Sequence, residues 1–349
     1  MFKARTKVVG IDISSSSIKL LELSRYGDKL QVERYASRSL PEGAVVEKHI
    51  VRLDAVGEEM ARLASLANTQ TMRAAVAVSG SAVITRIIEL NASLSDAEME
   101  NQVIVEADQY IPYPLEEVAI DFERQRPSRK NEAMVEVLLA ACKREHLDNR
   151  VEALEMGGFE AVFVDIEAYA MERAFRLLCV QMGLDDKGIV AIMDIGATMT
   201  TMHILKDGVS IYTREQGLGG ARLSQAVQSC YGLSPAEAEE AMINDALPES
   251  HVTEVLAPFR EEMVEQLSRS LHFFFSSSQY NEIDLIVLAG GAAVTPGLAE
   301  KLQEALSTRA VVASPFARMS VSSKVNKGQL YKDAASLLLA CGLAMRGLE

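Results

Sequence analysis

Two short turns in the sequence carry the side chains best suited to chemistry. The first lies between Asp12 and Lys19, where Ser14 to Ser17 are four serines in a row. A tight turn of small hydroxyl residues exposes backbone amides and hydroxyl groups at one point, and such a nest suits phosphate oxygens. Lys19 can place a cation beside the outer phosphates, and Asp12 can hold Mg²⁺ through water. An ordinary serine-rich hairpin remains an open alternative for this segment alone. The candidate ligands here are Asp12, Ser14, Ser15, Ser16 and Lys19.

The second turn repeats this arrangement. Asp194 ends a strongly apolar run, where a purely structural hairpin would place Asn or Gly, and small residues follow it. Asp12 and Asp194 lie 182 residues apart, each between two strand-like segments, and this pattern predicts an internal duplication. Two such turns face to face would clasp a triphosphate, with Mg²⁺ held by both carboxylates, mainly through water. The candidates of the second turn are Asp194, Gly196, Thr198 and Thr200.

Paired glycines supply two further candidate pieces. Gly290, Gly291 and Ala292 follow an apolar run, and glycines there let a flat ring approach the backbone. Gly219 and Gly220 open a helical stretch that could deliver amides toward a phosphate or ribose. Either pair alone is weak evidence, and only the order of the four pieces makes a nucleotide site the preferred interpretation.

Alternating short apolar strands and amphipathic helices must position these turns, which indicates an α/β protein. Between residues 92 and 158 a capped helix start at Ser95 is followed by a stiff, proline-containing connector, two paired strands and a second helix. We expect this segment to form an αββα insertion of its own.

Composition excludes several classes of function. The 349 residues suggest two to three domain-sized units, and the net charge of −14 argues against a nucleic-acid partner, which needs a basic surface. No apolar run approaches the ~20 residues of a membrane span, so we expect no direct membrane insertion. Five isolated histidines predict no metal or catalytic cluster. Four scattered cysteines, in a chain that starts without a secretory segment, predict reduced thiols in the cytoplasm; they are Cys142, Cys179, Cys230 and Cys341.

Taken in order, the four pieces resemble the phosphate-one, phosphate-two and adenosine motifs of the superfamily of actin, heat-shock chaperones and sugar kinases. The resemblance implies an actin-like, ribonuclease H-like duplicated α/β fold, and the early insertion is similar to the FtsA variant of it. The run from Glu106 to Val118, with its Glu-Ala-Asp-Gln-Tyr-Ile-Pro-Tyr-Pro core, most resembles the type IV pilus assembly family PilM. That similarity covers nearly the whole chain.

The resemblance also implies subdomain boundaries. We expect subdomain 1A at residues 1–91 and 159–189, the inserted subdomain 1C at 92–158, subdomain 2A at 190–218 and 281–330, the helical subdomain 2B at 219–280, and a C-terminal helix over 331–349 that packs on 1A.

The family implies a cytoplasmic protein that binds ATP and Mg²⁺ and docks at the inner membrane through a partner. That partner is the short N-terminal cytoplasmic tail of PilN, held in a groove between 1A and 1C, near residues 82–90 and 98–110. The family also implies links to the pilus assembly ATPases or their regulators. An FtsA-like cell-division anchor and a small-molecule kinase stay open as alternatives. The apolar end, Leu337 to Met345, favours a packed helix over FtsA's membrane anchor.

Two departures from the superfamily pattern carry expectations. Ser14 stands where glycine is usual, and a left-handed conformation there would cost Ser about 1 kcal/mol. This departure predicts either weaker nucleotide affinity or a slightly remodelled turn. Met242 stands where some members place a lysine over the nucleotide. No residue in the sequence is an evident base for hydrolysis, so the catalytic residues are unassigned and we expect slow or no turnover.

Overall fold

The computed structural model describes residues 7–27, 29–129, 131–244 and 246–348, so residues 1–6 and 349 of the expected terminal subdomains lie outside it. Sixteen strands are assigned within these ranges. In chain order they are β1 (Val9–Ile13), β2 (Ser17–Tyr26), β3 (Lys29–Ser39), β4 (Val45–Val46), β5 (His49–Ile50), β6 (Arg73–Val78), β7 (Val83–Asn91), β8 (Val118–Pro127), β9 (Met134–Lys143), β10 (Glu160–Ile166), β11 (Ile189–Ile195), β12 (Thr200–Lys206), β13 (Val209–Gln216), β14 (Leu285–Ala289), β15 (Ala310–Val312) and β16 (Ser320–Val321).

Ten α-helices connect and cover the strands of the described residues. They are α1 (Leu53–Ala67), α2 (Asp96–Ala107), α3 (Arg144–Met156), α4 (Glu167–Met182), α5 (Ala221–Tyr231), α6 (Pro235–Ile243), α7 (Ala257–Ser277), α8 (Leu298–Leu306), α9 (Lys327–Lys332) and α10 (Leu338–Met345). None of these helices is long and apolar enough to cross a membrane. The four cysteines are unpaired.

The two large sheets repeat one topology. The first has the order β10-β6-β1-β2-β3-β16 and the second β13-β12-β11-β14-β15. Each sheet begins with an antiparallel hairpin, β1–β2 in the first and β11–β12 in the second. The first strand of the hairpin pairs in parallel with a later strand, β6 or β14. That strand pairs in parallel with one more, β10 or β15. The register repeats as well, because Asp12 pairs with Lys19 while Asp194 pairs with Thr201. The duplicated actin-like fold predicted from the sequence is therefore present.

Two helices fill the space between the sheets. α10 packs on β1, β2 and α4, and α4 contacts strands of both halves. The packing at α10 is close enough to require glycine, because a Cβ on Gly10 would overlap the carbonyl oxygen of Ala340 and one on Gly342 would overlap that of Ala170. This apolar layer joins the halves through buried residues of both, such as Phe175 and Ile192. The last helix, α10, thus packs on the first sheet and on α4.

The insertion packs differently from the αββα unit expected over residues 92–158. Its sheet has the order β7-β9-β8, so β7 belongs to it although residues 83–91 were expected in 1A. Its apolar cluster joins these three strands to α2. α3 instead packs on α1, and its Ala153 and Leu154 lie in the core of the first half. A further difference is β16, which pairs with β3 in the first sheet although its residues were expected in 2A.

Candidate nucleotide site

A cavity of about 930 Å³ opens between the two sheets, at the turns that follow β1 and β11. Most residues predicted from the sequence lie at its wall. Those that line it are Asp12, Ser14, Ser15, Ser16, Lys19, Asp194, Gly196, Gly220, Gly290, Gly291 and Ala292. Met242 and Glu239 of α6 line the same cavity, so α6 lies where the resemblance placed the missing lysine.

The first turn is closed by a backbone hydrogen bond from the Ser14 amide to the Ser17 carbonyl oxygen, at 2.9 Å. The Ser14 hydroxyl adds a second bond to the same oxygen, also at 2.9 Å. From outside, the Leu40 amide donates to the Ser16 carbonyl oxygen. The amides of Ser15 and Ser16 have no protein acceptor among the described residues. They are therefore available to an anion in the cavity.

The second turn has the same backbone bond, from the Gly196 amide to the Met199 carbonyl oxygen at 2.9 Å. Its outer support comes from the glycine segment, because the Gly220 amide donates to Gly196 and the Ala221 amide donates to Ala197. Within the described chain, the amides of Ala197 and Thr198 have no protein acceptor. Both turns thus bring free amides to the wall of one cavity, those of Ser15 and Ser16 from the first turn and that of Ala197 from the second.

Three predicted residues do not line the cavity, and two of them have a structural role. Thr200 is buried and its hydroxyl donates to the Leu218 carbonyl oxygen at 2.7 Å, which fixes the start of α5 against β12. A Cβ on Gly219 would overlap the carbonyl oxygen of Ala197, so this glycine permits the close approach of α5 to the second turn. Thr198 is exposed at the tip of that turn.

Ser14 does not have a left-handed backbone, since the non-glycine residues with positive φ are elsewhere. The expected strain at Ser14 is therefore wrong, and the prediction of weaker affinity loses the strain on which it was based. Its hydroxyl instead adds a hydrogen bond that closes the turn.

The two aspartates differ in charge environment. Asp12 forms an ion pair with Lys19 at 3.0 Å. Asp194 has no cation in hydrogen-bond contact among the described residues, and burial raises its pKa, an effect that the more distant Lys48 and Lys19 partly offset. Asp194 is therefore the carboxylate that would gain most from a bound cation.

Lys48 and Glu167 also line the cavity, and the sequence analysis missed both. The Lys48 ammonium lies 2.5 Å from Glu167 and 3.5 Å from Glu215 of β13. Burial alone would lower the pKa of Lys48, but the two carboxylates raise it above its usual value, so the lysine stays protonated. No turn signal marks Lys48 in the sequence, because the β4–β5 hairpin turns at Glu47 and Lys48 without glycine, asparagine or proline.

These residues fit a nucleotide with a divalent cation. The free amides of the two turns suit phosphate oxygens, and Asp12 and Asp194 supply the hard oxygen ligands that Mg²⁺ takes, directly or through water. Gly291 leaves its surroundings open, since a Cβ there would meet nothing within 4 Å, and it borders the space for a base or ribose. Glu167, at the first position of α4, is a carboxylate near the phosphate turns, but Lys48 holds it.

Fold and cleft together define an actin-like protein with an inserted subdomain. The sequence model of the family described as "Type IV pilus assembly protein PilM" matches residues 10–348, and the chain belongs to this family.

Solved structures agree with this assignment. A chain of a "PilM-PilN type IV pilus biogenesis complex" is 28% identical, with a TM-score of 0.78, and the match covers 99% of this chain and 100% of that one. The ethanolamine utilization protein EutJ from Carboxydothermus hydrogenoformans is 15% identical, with a TM-score of 0.58, and covers 98% of this chain and 90% of that one; it shows the fold alone.

Proposed function

We propose that the chain is an ATP-binding scaffold of the type IV pilus assembly machine. The observation that carries the nucleotide part is the pair of turns with free amides at the cavity wall, Ser15 and Ser16 in the first turn and Ala197 in the second. In this proposal the triphosphate lies between them and the base lies toward Gly291. A bound Mg²⁺ would neutralise phosphate charge, and Asp12 and Asp194 would orient it through their carboxylates.

Gly291→Leu tests this site without disturbing the packed core, because the new side chain enters the open cavity. We expect nucleotide affinity to fall more than about tenfold in a calorimetric titration with Mg-ATP. The matched control is Gly217→Leu, since a Cβ at Gly217 is also unobstructed but the residue does not line the cavity. Wild-type affinity in Gly291→Leu, with both variants folded by circular dichroism, would contradict the proposed position of the nucleotide.

We further propose that hydrolysis is slow or absent. Glu167 is the carboxylate best placed to act as a base, yet its carboxylate is engaged by Lys48 at 2.5 Å. Burial raises the pKa of Glu167 although Lys48 opposes this shift, but the hydrogen bond from Lys48 occupies the carboxylate that would have to accept a proton from water. Phosphate release by the purified protein at ~1 s⁻¹ or faster, the low end of typical enzymes, would refute this expectation.

The partner in this proposal is the N-terminal cytoplasmic tail of PilN, in a groove between 1A and 1C. A second cavity of about 510 Å³ lies between the insertion and the first half. One side is the stretch 119–123 of β8 and the other is 162–166 of β10. Both strands are edges of their sheets, so an extended peptide between them can pair with either backbone. Val83 of the expected strand lines this groove, whereas no residue of α2 is among its lining.

Ala140→Trp tests the groove, because Ala140 of β9 lines its wall and a bulky ring there would occupy it. We expect a synthetic peptide of the PilN tail to bind the wild type and to lose more than about tenfold in affinity for the variant, measured by fluorescence anisotropy. Ala92→Trp is the control, since Ala92 is exposed on the same insertion and outside the groove. No binding to the wild type, with or without Mg-ATP, would contradict the partner assignment.

Binding the tail of a membrane protein would place this chain in the cytoplasm at the inner membrane and connect the pilus assembly ATPases or their regulators to it. Fractionation of cells with and without PilN checks this step. We expect the chain in the membrane fraction only when PilN is present. Membrane association without PilN would overturn it.

A further inference from the structure

One ion-pair cluster reaches the nucleotide cavity, lies next in sequence to residues of the peptide groove, and joins the two halves of the molecule. It consists of Lys48, Glu167, Glu215, Ser79 and Ser81, and we refer to it as the Lys48 bridge. The inference drawn from it rests on the proposed function, since it concerns the ATP site and the PilN groove.

The backbone of Lys48 has a left-handed conformation that residues other than glycine normally avoid. The β4–β5 hairpin has a two-residue turn in which Glu47 and Lys48 have φ values of 48° and 65°. Such turns favour Asn-Gly, and each non-glycine residue in this region costs about 1 kcal/mol. Arg150 stabilises the turn by donating to the Lys48 carbonyl oxygen at 2.8 Å and to the Ala77 carbonyl oxygen at 2.7 Å. Strain that surrounding contacts maintain is typical of functional positions.

The ammonium of Lys48 connects parts of the molecule that are distant in sequence. It bonds Glu167, the first residue of α4, and lies 3.5 Å from Glu215 in the second half. Glu215 also accepts hydrogen bonds from Ser79 at 2.5 Å and from Ser81 at 2.7 Å. Lys48 and the two serines thus hold a carboxylate of the second half against the first half.

The same cluster lies between the two cavities. Lys48 and Glu167 line the nucleotide cavity. Ile166, next to Glu167, lines the groove, and so do Val78 and Val83, which flank the Ser79–Ser81 segment at the start of the insertion. A displacement of the bridge therefore moves residues at the wall of the groove.

An added phosphate would compete for Lys48. The lysine faces a cavity that already carries Asp12 and Asp194, and it interacts electrostatically with Asp194. A third phosphate brings further negative charge beside the ammonium, whereas a diphosphate leaves that position without it. Lys48 then has two alternative sets of partners, the carboxylates of the bridge or the terminal phosphate.

We propose that Lys48 distinguishes a nucleoside triphosphate from a diphosphate and that Glu215 transmits the difference to the peptide groove. The nucleotide with three phosphates weakens the contacts of Lys48 with Glu167 and Glu215, and the Ser79–Ser81 segment responds. By reciprocity, the peptide changes the preference for the third phosphate by the same factor.

The experiment measures the affinity of the PilN-tail peptide in saturating Mg-ADP and in saturating Mg-AMPPNP, for the full chain. We expect the two affinities of the wild type to differ at least about fivefold, within the usual range of coupling between sites. In Glu215→Gln the ratio falls to about one, while each nucleotide still binds, since Glu215 lines neither cavity. Lys48→Met loses the preference for AMPPNP over ADP in direct nucleotide titrations.

Glu172→Gln is the matched control. Like Glu215, Glu172 is an acid that contacts the opposite half, since it lies in the first half and accepts from the Ser210 amide of the second at 2.7 Å. It lies outside the bridge and lines neither cavity. We expect Glu172→Gln to keep the wild-type ratio of peptide affinities in Mg-ADP and Mg-AMPPNP. Equal peptide affinities in the two nucleotides for the wild type, or an equal loss of the ratio in Glu172→Gln, overturn this inference alone. Absence of nucleotide or peptide binding overturns the proposed function instead.

Discussion

The turns after β1 and β11 share a backbone hydrogen bond but differ in the charges around their aspartates. Both are closed by the same amide-to-carbonyl bond at 2.9 Å, and both follow an aspartate in the same register. The first aspartate is paired with Lys19, whereas the second faces Thr201 and has no such cation. Duplication has therefore kept the geometry that presents amides, while the side chains have diverged toward different tasks. The first aspartate is neutralised by Lys19, and the second is a carboxylate with a raised pKa that is available to a bound cation.

The largest expected difference between the turns is in the magnesium dependence of nucleotide binding. Asp194→Asn should reduce Mg-ATP affinity about a hundredfold, or about 2.7 kcal/mol, because it removes the carboxylate that has a raised pKa and no ion-pair partner among the described residues. Asp12→Asn should reduce Mg-ATP affinity less, since the Asp12 carboxylate is already neutralised by its ion pair with Lys19. Calorimetric titrations with and without Mg²⁺ measure both effects. Equal losses in the two variants would break the proposed asymmetry.

The support behind the second turn gives the next largest effect. In Gly219→Ala the added methyl group overlaps the Ala197 carbonyl oxygen, so the turn or the start of α5 must shift. We expect a loss of about 1–3 kcal/mol in the free energy of unfolding, as in other overpacked sites, together with weaker nucleotide binding. Urea denaturation gives the first quantity. Gly217→Ala, where the Cβ is unobstructed, serves as control. Unchanged stability of Gly219→Ala would show that α5 adjusts without cost.

The repeat also predicts a difference in acid stability. Leu21 of β2 is buried, and the equivalent register position in β12 is the buried His203, whose pKa burial lowers to about 3. In the unfolded chain His203 is protonated as the pH drops below about 6.5, whereas in the folded protein it stays neutral until about pH 3. The free energy of unfolding therefore falls as the pH drops below 6.5.

His203→Leu copies the first half and removes this proton uptake. From pH 7 to pH 5 we expect the wild type to lose about 2 kcal/mol more than the variant in the free energy of unfolding. Urea denaturation at both pH values measures the difference. Parallel losses in the two proteins would mean that His203 is protonated in the folded state.

The smallest expected effect comes from exchanging the turn residues themselves. Gly196→Ser introduces the side chain that closes the first turn, and its Cβ would lie 3.0 Å from the Met199 carbonyl oxygen, a tight contact that a small shift relieves. We expect a change below about 1 kcal/mol in unfolding free energy, since the added hydrogen bond offsets the crowding. Thermal denaturation measures it. A loss of several kcal/mol would show that the two backbones differ more than their hydrogen bonds indicate.

The longer strands, the two turns that line the cavity and the duplication could be predicted from the sequence, because each depends on local patterns of apolar and small residues. Ser14 lies in the predicted turn, but the strain predicted for it is absent, since the φ of a turn residue depends on how the hairpin closes. Lys48 and Glu167 were missed for a different reason. Glu167 begins a helix and Lys48 occupies an unmarked turn, and only the packing of α4, β5 and β13 brings their charges together. The placement of α3 likewise depended on tertiary contacts with α1 that no sequence period reveals.

The short strand β16 has a mechanical consequence. The described chain passes from the first sheet to the second between α4 and β11, and it returns between β15 and β16, where β16 pairs with β3. Two connections at separate places remove most of the freedom that a single linker would leave. The halves can then rotate about the line that joins the two connections, whereas rotation about other axes and sliding are restricted. Opening of the cavity between the halves is then described by nearly one angle of rotation, and a ligand bound between the halves would fix that angle.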